Sequence, residues 1–190
     1  LMKSYPVIKD RKIKAAIVGC GRISKNHFES ISKHQKNIEL VSICDDDESV
    51  LNNHEKKYNI KGYLDLANMI EKVDLDLVIL CTPSGLHAEQ TETCAKKGIN
   101  VMTEKPMATR WNDGIRMVKV CDQAGVRLFV VKQNRNNPTI KLIKRAIKEN
   151  RFGKIHMVHL NVFWSRPQSY YDQAPWRGTW EFDGGALMNQ

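Results

Sequence analysis

Short apolar runs alternate with amphipathic segments along the first 131 residues of the chain. The run at 77–81, Leu-Val-Ile-Leu-Cys, is apolar throughout, as in parallel strands that are covered on both faces. Strands are predicted at 13–18, 38–44, 77–81, 100–103 and 128–131. Helices are predicted at 25–33, from about 49, and at 64–72, 86–97 and 109–124. This order is typical of an α/β fold with a doubly wound parallel sheet and right-handed crossovers.

The pattern changes after Gln133. A helix is predicted at 139–150, and the long strand predicted at 156–164 has no helix directly behind it. From Ser165 the sequence is aromatic and typical of loops. We therefore expect residues 1–133 to form one domain and residues 134–190 to be the start of an incomplete α+β open-sheet domain. A strand without sheet partners would expose backbone edges and apolar surface.

The formal net charge of +9 is concentrated late in the chain, where residues 132–177 hold ten Lys or Arg and two acidic residues. Such a segment could bind nucleic acid, meet an anionic small substrate, or form a solvated helix face. On the helix at 139–150, Ile140, Ile143 and Ile147 form an apolar stripe opposite the basic side chains. No nucleic-acid-binding motif accompanies the charge, so no nucleic-acid partner is expected.

The chain lacks the sequence signs of a membrane, secreted or metal-binding protein. No apolar run reaches the roughly 18 residues of a membrane span, and the first residues lack the apolar core of a signal peptide. We therefore expect a cytoplasmic protein with no membrane partner. The five cysteines are odd in number and contain no Cys-x-x-Cys pair. This spacing indicates buried thiols rather than a disulfide framework or a metal site.

A glycine-rich turn follows the first predicted strand and precedes the first helix. Gly19 and Gly21 match the first two glycines of the dinucleotide-binding pattern, and Ser24 stands where the third is usual. Such a turn, here completed by Arg22 and Ile23, lets the backbone approach a pyrophosphate at a helix N-terminus. The strand-turn-helix context indicates a Rossmann fold, although the incomplete motif alone is weak.

The second predicted strand ends at Asp45, 26 residues after Gly19. A carboxylate there would accept hydrogen bonds from the adenosine ribose hydroxyls and would repel a 2′-phosphate. No Arg or Lys occurs in the next ten residues to bind such a phosphate. The sequence therefore favours NAD over NADP. The alternative is an aspartate run that only caps the helix beginning near Ser49.

Two further motifs follow the later strands: Thr82-Pro83-Ser84-Gly85-Leu86-His87 and Glu104-Lys105-Pro106. Together with the glycine turn they resemble the glucose-fructose oxidoreductase and inositol dehydrogenase family, Gfo/Idh/MocA. The resemblance implies an NAD-dependent sugar dehydrogenase. The cofactor contacts that follow are Gly19, Gly21, Arg22, Ile23, Asp45, Thr82, Pro83, Ser84, His87, Glu104, Gln133, Trp176 and Arg177.

The later segments resemble one branch of this family, the bacterial UDP-N-acetyl-2-amino-2-deoxyglucuronate 3-dehydrogenases. The matching segments are 132–135, 161–164, 166–168, 170–171, 176–180 and 183–190. The resemblance implies oxidation at C3 of a UDP-N-acetylhexosaminuronate in the biosynthesis of surface polysaccharide. It also implies a homodimer or homotetramer when the protein is full length. The implied UDP-sugar contacts are Lys105, Arg166, Tyr170, Tyr171 and Asn189.

Lys105 is the predicted catalytic residue. Oxidation of a secondary alcohol needs a base for the hydroxyl proton, and a buried lysine can serve when its pKa falls from about 10.4 toward 7 or 8. The residue precedes a proline, which favours an extended backbone. Glu104 is expected to lie near the nicotinamide ribose or to orient Lys105. The alternative for Lys105 is a surface lysine in a turn.

The resemblance also implies a catalytic histidine a few residues beyond the segment that matches 183–190. The sequence ends at Gln190 before any such histidine, and His156 and His159 do not match the motif position. The expected C-terminal domain is likewise incomplete in this sequence. A non-catalytic dinucleotide-binding or nucleotide-sugar-binding module therefore remains an alternative to the enzyme.

Overall fold

The computed structural model describes residue 5 and residues 7–189, apart from the side chains of residues 186 and 187. Its six strands are β1 (Ile13–Val18), β2 (Ile38–Cys44), β3 (Gly62–Tyr63), β4 (Leu77–Leu80), β5 (Asn100–Thr103) and β6 (Leu128–Val130). All pairings are parallel, and the spatial order is β3-β2-β1-β4-β5-β6. The expected doubly wound parallel sheet is confirmed. Only β3, with two residues, has no counterpart among the predicted strands.

The helices connect these strands and continue beyond the sheet. They are α1 (Ser24–Lys33), α2 (Glu48–Tyr58), α3 (Leu66–Lys72), α4 (His87–Lys96), α5 (Trp111–Ala124), α6 (Pro138–Lys148), α7 (Gln168–Tyr171) and α8 (Ala186–Asn189), with 3₁₀ turns at Ser84–Leu86 and Gln133–Asn136. The predicted ends of α1 to α6 differ from the observed ones by at most two residues, whereas α7, α8 and the two 3₁₀ turns were not predicted. None of the helices that the structure describes is both long and apolar enough to cross a membrane.

Helices cover both faces of the sheet, and alternate residues of β1 are therefore buried on opposite sides. Ala16 and Val18 pack in one apolar cluster with Met69 of α3. Ala15 and Ile17 pack in another with Phe28 of α1. All four β1 residues are at most 3% exposed. β4 is buried on both sides in the same way, which explains why its sequence is a continuous apolar run.

The strand order reverses at β1, which lies between β2 and β4. The loops that leave β1 and β4 therefore diverge, and a crevice opens at the carboxyl ends of the strands, where ligands of such sheets bind. Gly19 follows β1, Asp45 follows β2, Thr82 follows β4 and Glu104 follows β5. The fold thus brings the separate sequence motifs to one edge of the sheet.

All five cysteines are free and buried, which confirms the prediction of core thiols. Burial raises the pKa of Cys20 and Cys44 to about 12, so both remain protonated at neutral pH. A protonated buried thiol is a poor nucleophile and a poor metal ligand. The cysteines therefore act as small apolar side chains in the sheet and its helices.

The strand predicted at 156–164 is wrong, because residues 155–167 form neither helix nor strand. A strand requires a hydrogen-bonded neighbour, and this segment pairs with neither edge of the sheet, β3 or β6. Its apolar side chains are exposed as expected for a segment without partners, with Met157 at 86% and Phe163 at 90%. Ile140, Ile143 and Ile147 of α6 are likewise about half exposed within the described chain.

The last described residues return to the Rossmann sheet. The backbone N–H of Gly85 donates to the Phe182 carbonyl at 3.1 Å, and Thr109 Oγ1 donates to the Glu181 carbonyl at 3.3 Å. A side chain at Gly85 would overlap the Glu181 carbonyl oxygen. Contacts this close place residues 176–189 beside the carboxyl ends of the strands.

Candidate active site

A cleft of about 1270 Å³ lies at the carboxyl ends of the strands, lined by both parts of the chain. Its walls include nearly all residues that the sequence predicts for the site. These are Gly19, Gly21, Arg22, Ile23, Asp45, Thr82, Pro83, Ser84, Glu104, Lys105, Gln133, Arg166, Tyr170, Trp176, Arg177 and Asn189. The cleft thus joins the predicted cofactor residues to the predicted catalytic and substrate residues.

Gly19 begins the glycine turn and has no room for a side chain. Its φ of +86° is a conformation that favours glycine. A Cβ at this position would lie 2.8 Å from the Cys81 carbonyl carbon and 2.9 Å from the Thr82 nitrogen. Gly19 therefore lets the end of β1 pass directly against the end of β4.

Gly21 lies in the same turn but faces the cleft. Apart from its chain neighbours, no described residue has an atom within 4 Å of the position that a Cβ would take. The N-terminus of α1 that follows has no side-chain cap among the described residues, whereas Asp47 caps α2 by accepting from the backbone of Ser49 and Val50. An uncapped helix N-terminus behind an open glycine backbone fits the pyrophosphate of a dinucleotide.

Asp45 is fixed by the backbone around it. Its Oδ2 accepts from the Cys20 N–H at 2.6 Å, and its Oδ1 accepts from the Asp47 N–H at 2.9 Å. These bonds connect the end of β2 to the glycine turn and hold the carboxylate at the wall of the cleft. The helix-capping role belongs to Asp47 rather than Asp45. Asp45 therefore keeps lone pairs available for ribose hydroxyls.

Lys105 is half-buried in the cleft wall, next to the second part of the chain. Its Nζ donates to the Asn189 carbonyl at 2.5 Å and to Asn189 Oδ1 at 3.0 Å. Burial lowers the pKa of Lys105, while the negative charges of Glu104 and Asp183 oppose that shift. A lysine with a lowered pKa can accept a proton closer to neutral pH.

Asp183 supports the partner of Lys105. It is 3% exposed, and its Oδ2 accepts from the Gly178 N–H at 2.8 Å. Its Oδ1 accepts a hydrogen bond from Asn189 Nδ2. The orientation of the Asn189 amide is thereby set, with its oxygen toward Lys105. The sequence predicts Asn189 only as a substrate contact and does not predict the role of Asp183.

Glu104 has a partner that sequence reasoning missed. The Nε2 of His27, on α1, lies 2.8 Å from Glu104 Oε1, and both side chains are largely buried. The Lys105 N–H donates to Glu104 Oε2 at 3.3 Å. Burial raises the pKa of Glu104, but the His27 hydrogen bond and nearby positive charges outweigh it, so that pKa lies below its usual range. A lone histidine on a helix carries no sequence signal for this contact.

His87 is not in the cleft, so the expected contact with the cofactor is corrected. The side chain is fully buried, with Nδ1 3.0 Å from the Pro106 carbonyl and Nε2 3.0 Å from the Thr82 carbonyl. Burial lowers the pKa of His87, against the pull of these carbonyls. The imidazole therefore connects the loops after β4 and β5 from behind the wall of the cleft.

Arginine and aromatic side chains alternate along the outer wall of the cleft. The Arg166 guanidinium lies over the rings of Trp164 and Tyr170, and that of Arg177 over the rings of Tyr170 and Trp176, at 4.4–5.1 Å. Stacking of this kind holds the guanidinium groups in place. The wall therefore presents fixed positive charge to the cleft.

Tyr171 packs edge-on against Tyr170 and does not line the cleft. Its ring lies 3.1 Å from where a Cβ on Gly178 would be. In this structure Tyr171 packs behind Tyr170, and its contact with the substrate stays a prediction.

Two family models match the chain. Residues 13–132 match the oxidoreductase family with an NAD-binding Rossmann fold, Gfo/Idh/MocA. Residues 140–190 match a C-terminal domain of the same family. The curated relatives include D-apiose dehydrogenase of Paraburkholderia graminis, 31% identical over 157 residues, which are 82% of this chain and 40% of that protein. Myo-inositol 2-dehydrogenase of Thermotoga maritima is 30% identical over 149 residues, or 78% of this chain and 44% of that protein.

Solved structures extend the similarity to the second part of the chain. WlbA dehydrogenase of Chromobacterium violaceum, in complex with NADH and UDP-GlcNAcA, is 55% identical with a TM-score of 0.94, covering 100% of this chain and 55% of that one. The Bordetella pertussis WlbA dehydrogenase, with the same ligands, has the same identity and TM-score over 97% of this chain and 55% of that one. This chain thus spans about half the length of its relatives. It belongs to the Gfo/Idh/MocA oxidoreductase family and carries the NAD-binding Rossmann fold of that family.

Proposed function

We propose that this chain is the cofactor-binding part, with some of the substrate site, of an NAD-dependent dehydrogenase that oxidises C3 of a UDP-N-acetylhexosaminuronate. One observation carries the proposal: the Lys105 amine lines the same cleft as the glycine turn and Asp45. The similarity to two dehydrogenases solved with NADH and UDP-GlcNAcA supports the cofactor and the substrate class. The natural setting is the biosynthesis of surface polysaccharide.

The described residues fit a dinucleotide. The backbone at Gly21 and the N-terminus of α1 would hold the pyrophosphate, and Asp45 would accept from the adenosine ribose. Glu104 lies beside Lys105 at the wall of the same cleft, where the nicotinamide end would be. When bound, the nicotinamide supplies an acceptor for the hydride that leaves the sugar carbon.

Lys105 supplies the other half of the oxidation. As the hydride leaves carbon, the hydroxyl oxygen loses its proton to the neutral Lys105 amine, and the alcohol becomes a ketone. Asn189 holds the amine in place, and its own amide is set by Asp183. These contacts position the base before the substrate binds.

Positive charge on the outer wall of the cleft suits an anionic nucleotide sugar. Arg166 and Arg177 line the cleft, and the buried Arg177 Nε has no hydrogen-bond partner among the described residues. Burial of an unpaired donor is costly, so a ligand oxygen at this position would stabilise the site. Tyr170 and Trp176 provide flat surfaces for a base or a nicotinamide. A homodimer or homotetramer in the cytoplasm completes the proposal.

The direct test is calorimetric titration of the chain with NAD and NADP, followed by UDP-N-acetylglucuronate with absorbance read at the reduced-nicotinamide band. We expect NAD to bind more tightly than NADP. Reduction would establish that Lys105 suffices as the base in this chain. NAD binding without reduction would support the alternative, a binding module whose chemistry needs further residues. Failure of both nucleotides to bind would refute the proposal.

Asp45 is expected to set the preference for NAD. In the Asp45→Ala variant, the ribose loses a charged acceptor and a 2′-phosphate is no longer repelled. Loss of one charge-assisted hydrogen bond predicts roughly tenfold weaker NAD binding, with a smaller ratio of NADP to NAD dissociation constants. Asp45→Asn is the matched control, because it keeps the size of the side chain and one acceptor oxygen. An unchanged ratio in Asp45→Ala would assign the preference to another residue.

A further inference from the structure

Glu104 is 8% exposed, and its buried carboxylate needs partners inside the protein. Two side chains that can donate hydrogen bonds lie near it, His27 from α1 and Lys105 from the next position in the chain. His27 Nε2 contacts Oε1 at 2.8 Å. Lys105 contacts Glu104 only through its backbone N–H, and its Nζ donates to Asn189 instead. The buried carboxylate is therefore paired by histidine and not by the lysine amine.

This division of partners has a chemical consequence for Lys105. A carboxylate that pairs directly with an ammonium stabilises its charged form and makes the lysine a weaker base. With His27 on Oε1, Glu104 is held in place while the amine stays with the neutral Asn189 amide. His27 does not itself line the cleft. Its effect on the cleft must pass through Glu104.

We propose that His27 is a positioning residue, which holds the Glu104 carboxylate by a hydrogen bond from Nε2–H and so keeps it out of direct contact with the Lys105 amine. The proposal rests on the proposed function for the importance of Lys105, but its geometry does not depend on it. The Nε2–H that this bond requires is present in the neutral Nε2 tautomer and in the imidazolium ion.

The test uses two variants that differ by one methylene group. Glutamine places an amide N–H as many bonds from Cα as the imidazole Nε2, so His27→Gln can still donate to Glu104. Asparagine is one bond shorter, so the amide N–H of His27→Asn does not reach Glu104 Oε1. Both side chains are uncharged amides, so the pair separates the hydrogen bond from general polarity at this position.

The readout is the pKa of the Lys105 amine, measured from the NMR chemical shift of its ¹³Cε in protein labelled with ¹³C-lysine, which leaves both N–H donors to Asn189 in place. The Lys105→Arg variant assigns the signal. The groups that face Lys105 are Tyr170, Glu104, Asp183 and Lys132, and those that face Glu104 are His27, Lys105, Cys81 and His87. Apart from residue 27, all of these groups are the same in the two variants.

In His27→Asn we expect Glu104 to turn to the Lys105 ammonium, which would raise the Lys105 pKa by about one unit, the effect of a close opposite charge. His27→Gln should titrate like the natural protein. In a Glu104→Gln background, His27→Asn should have no effect on Lys105, because the acceptor charge is gone. An unchanged Lys105 titration in His27→Asn, with thermal unfolding as in His27→Gln, would overturn the proposal.

The titration is made without cofactor or substrate. If the natural chain does not bind NAD, the proposed dehydrogenase function fails. The proposed role of His27 would still stand, because its test does not use NAD. Conversely, NAD binding with no shift in Lys105 would reject His27 as a positioning residue and leave the proposed function standing.

Discussion

Gly19→Ala is expected to destabilise the chain by about 2–5 kcal/mol and to abolish measurable NAD binding. The new Cβ would lie 2.8–2.9 Å from backbone atoms of Cys81 and Thr82, which cannot move aside as a flexible side chain would. To this overpacking is added the cost of about 1–2 kcal/mol for an L side chain at positive φ. The urea midpoint and calorimetry with NAD measure the two effects.

Gly98→Ala is the matched control for this substitution. Gly98 has φ +75°, close to the φ of Gly19, but apart from its chain neighbours no described residue has an atom within 4 Å of its hypothetical Cβ. We therefore expect only the conformational cost of about 1 kcal/mol and unchanged NAD binding. Equal destabilisation of the two variants would show that the close approach of β1 to β4 has little energetic weight.

Lys105→Arg is expected to lower the rate of sugar oxidation by a factor of about 10² to 10⁴, the range for loss of a general base. A guanidinium keeps the positive charge but does not release its proton at accessible pH. The affinity for NAD should change by less than about threefold, because the substitution removes the proton acceptor and leaves the residues that hold NAD unchanged. Initial rates of nicotinamide reduction, in a form of the protein that turns over, measure the effect.

The pH dependence of the oxidation rate is a second test of Lys105 as the base. The neutral amine is the active form, so oxidation accelerates as pH rises through the Lys105 pKa, which burial has lowered. Lys105→Arg should lose that rise. Lys144→Ala, an exposed lysine on α6 outside the cleft, should keep both rate and pH profile. A Lys105→Arg variant that keeps the rise would assign the base to another group.

The sheet was predictable because the central strands β1 and β4 are largely buried on both faces and the connecting helices are amphipathic. These are local patterns, and the element ends that they predict lie within two residues of the observed ends at nearly every boundary. The segment 156–164 has the same apolar composition, yet it forms no strand, because strand formation also requires a neighbour that the local sequence does not reveal. The two-residue β3 is too short to show a period.

The location of the cleft was predictable from two kinds of residue. Gly19 is a motif glycine where the backbone leaves no room for a side chain, and Asp45 is a carboxylate directly after a strand. Contacts between distant single residues were not predictable. His27 and Glu104 are separated by 77 positions, and neither side chain signals the other. His87 shows the converse: a motif residue at the right edge of the sheet is turned inward by two carbonyl groups. Sequence patterns locate the edge, and packing decides which side chains face it.

Residues 176–189 lie against the Rossmann sheet and supply the amide that holds Lys105. The two matched regions of the chain are therefore not interchangeable modules. A chimaera of two family members joined near residue 134 would take its lysine from one parent and the lysine's partner from the other. Recombination that preserves function should instead carry the Glu104-Lys105-Pro106 motif and residues 178–189 together, as one inherited unit.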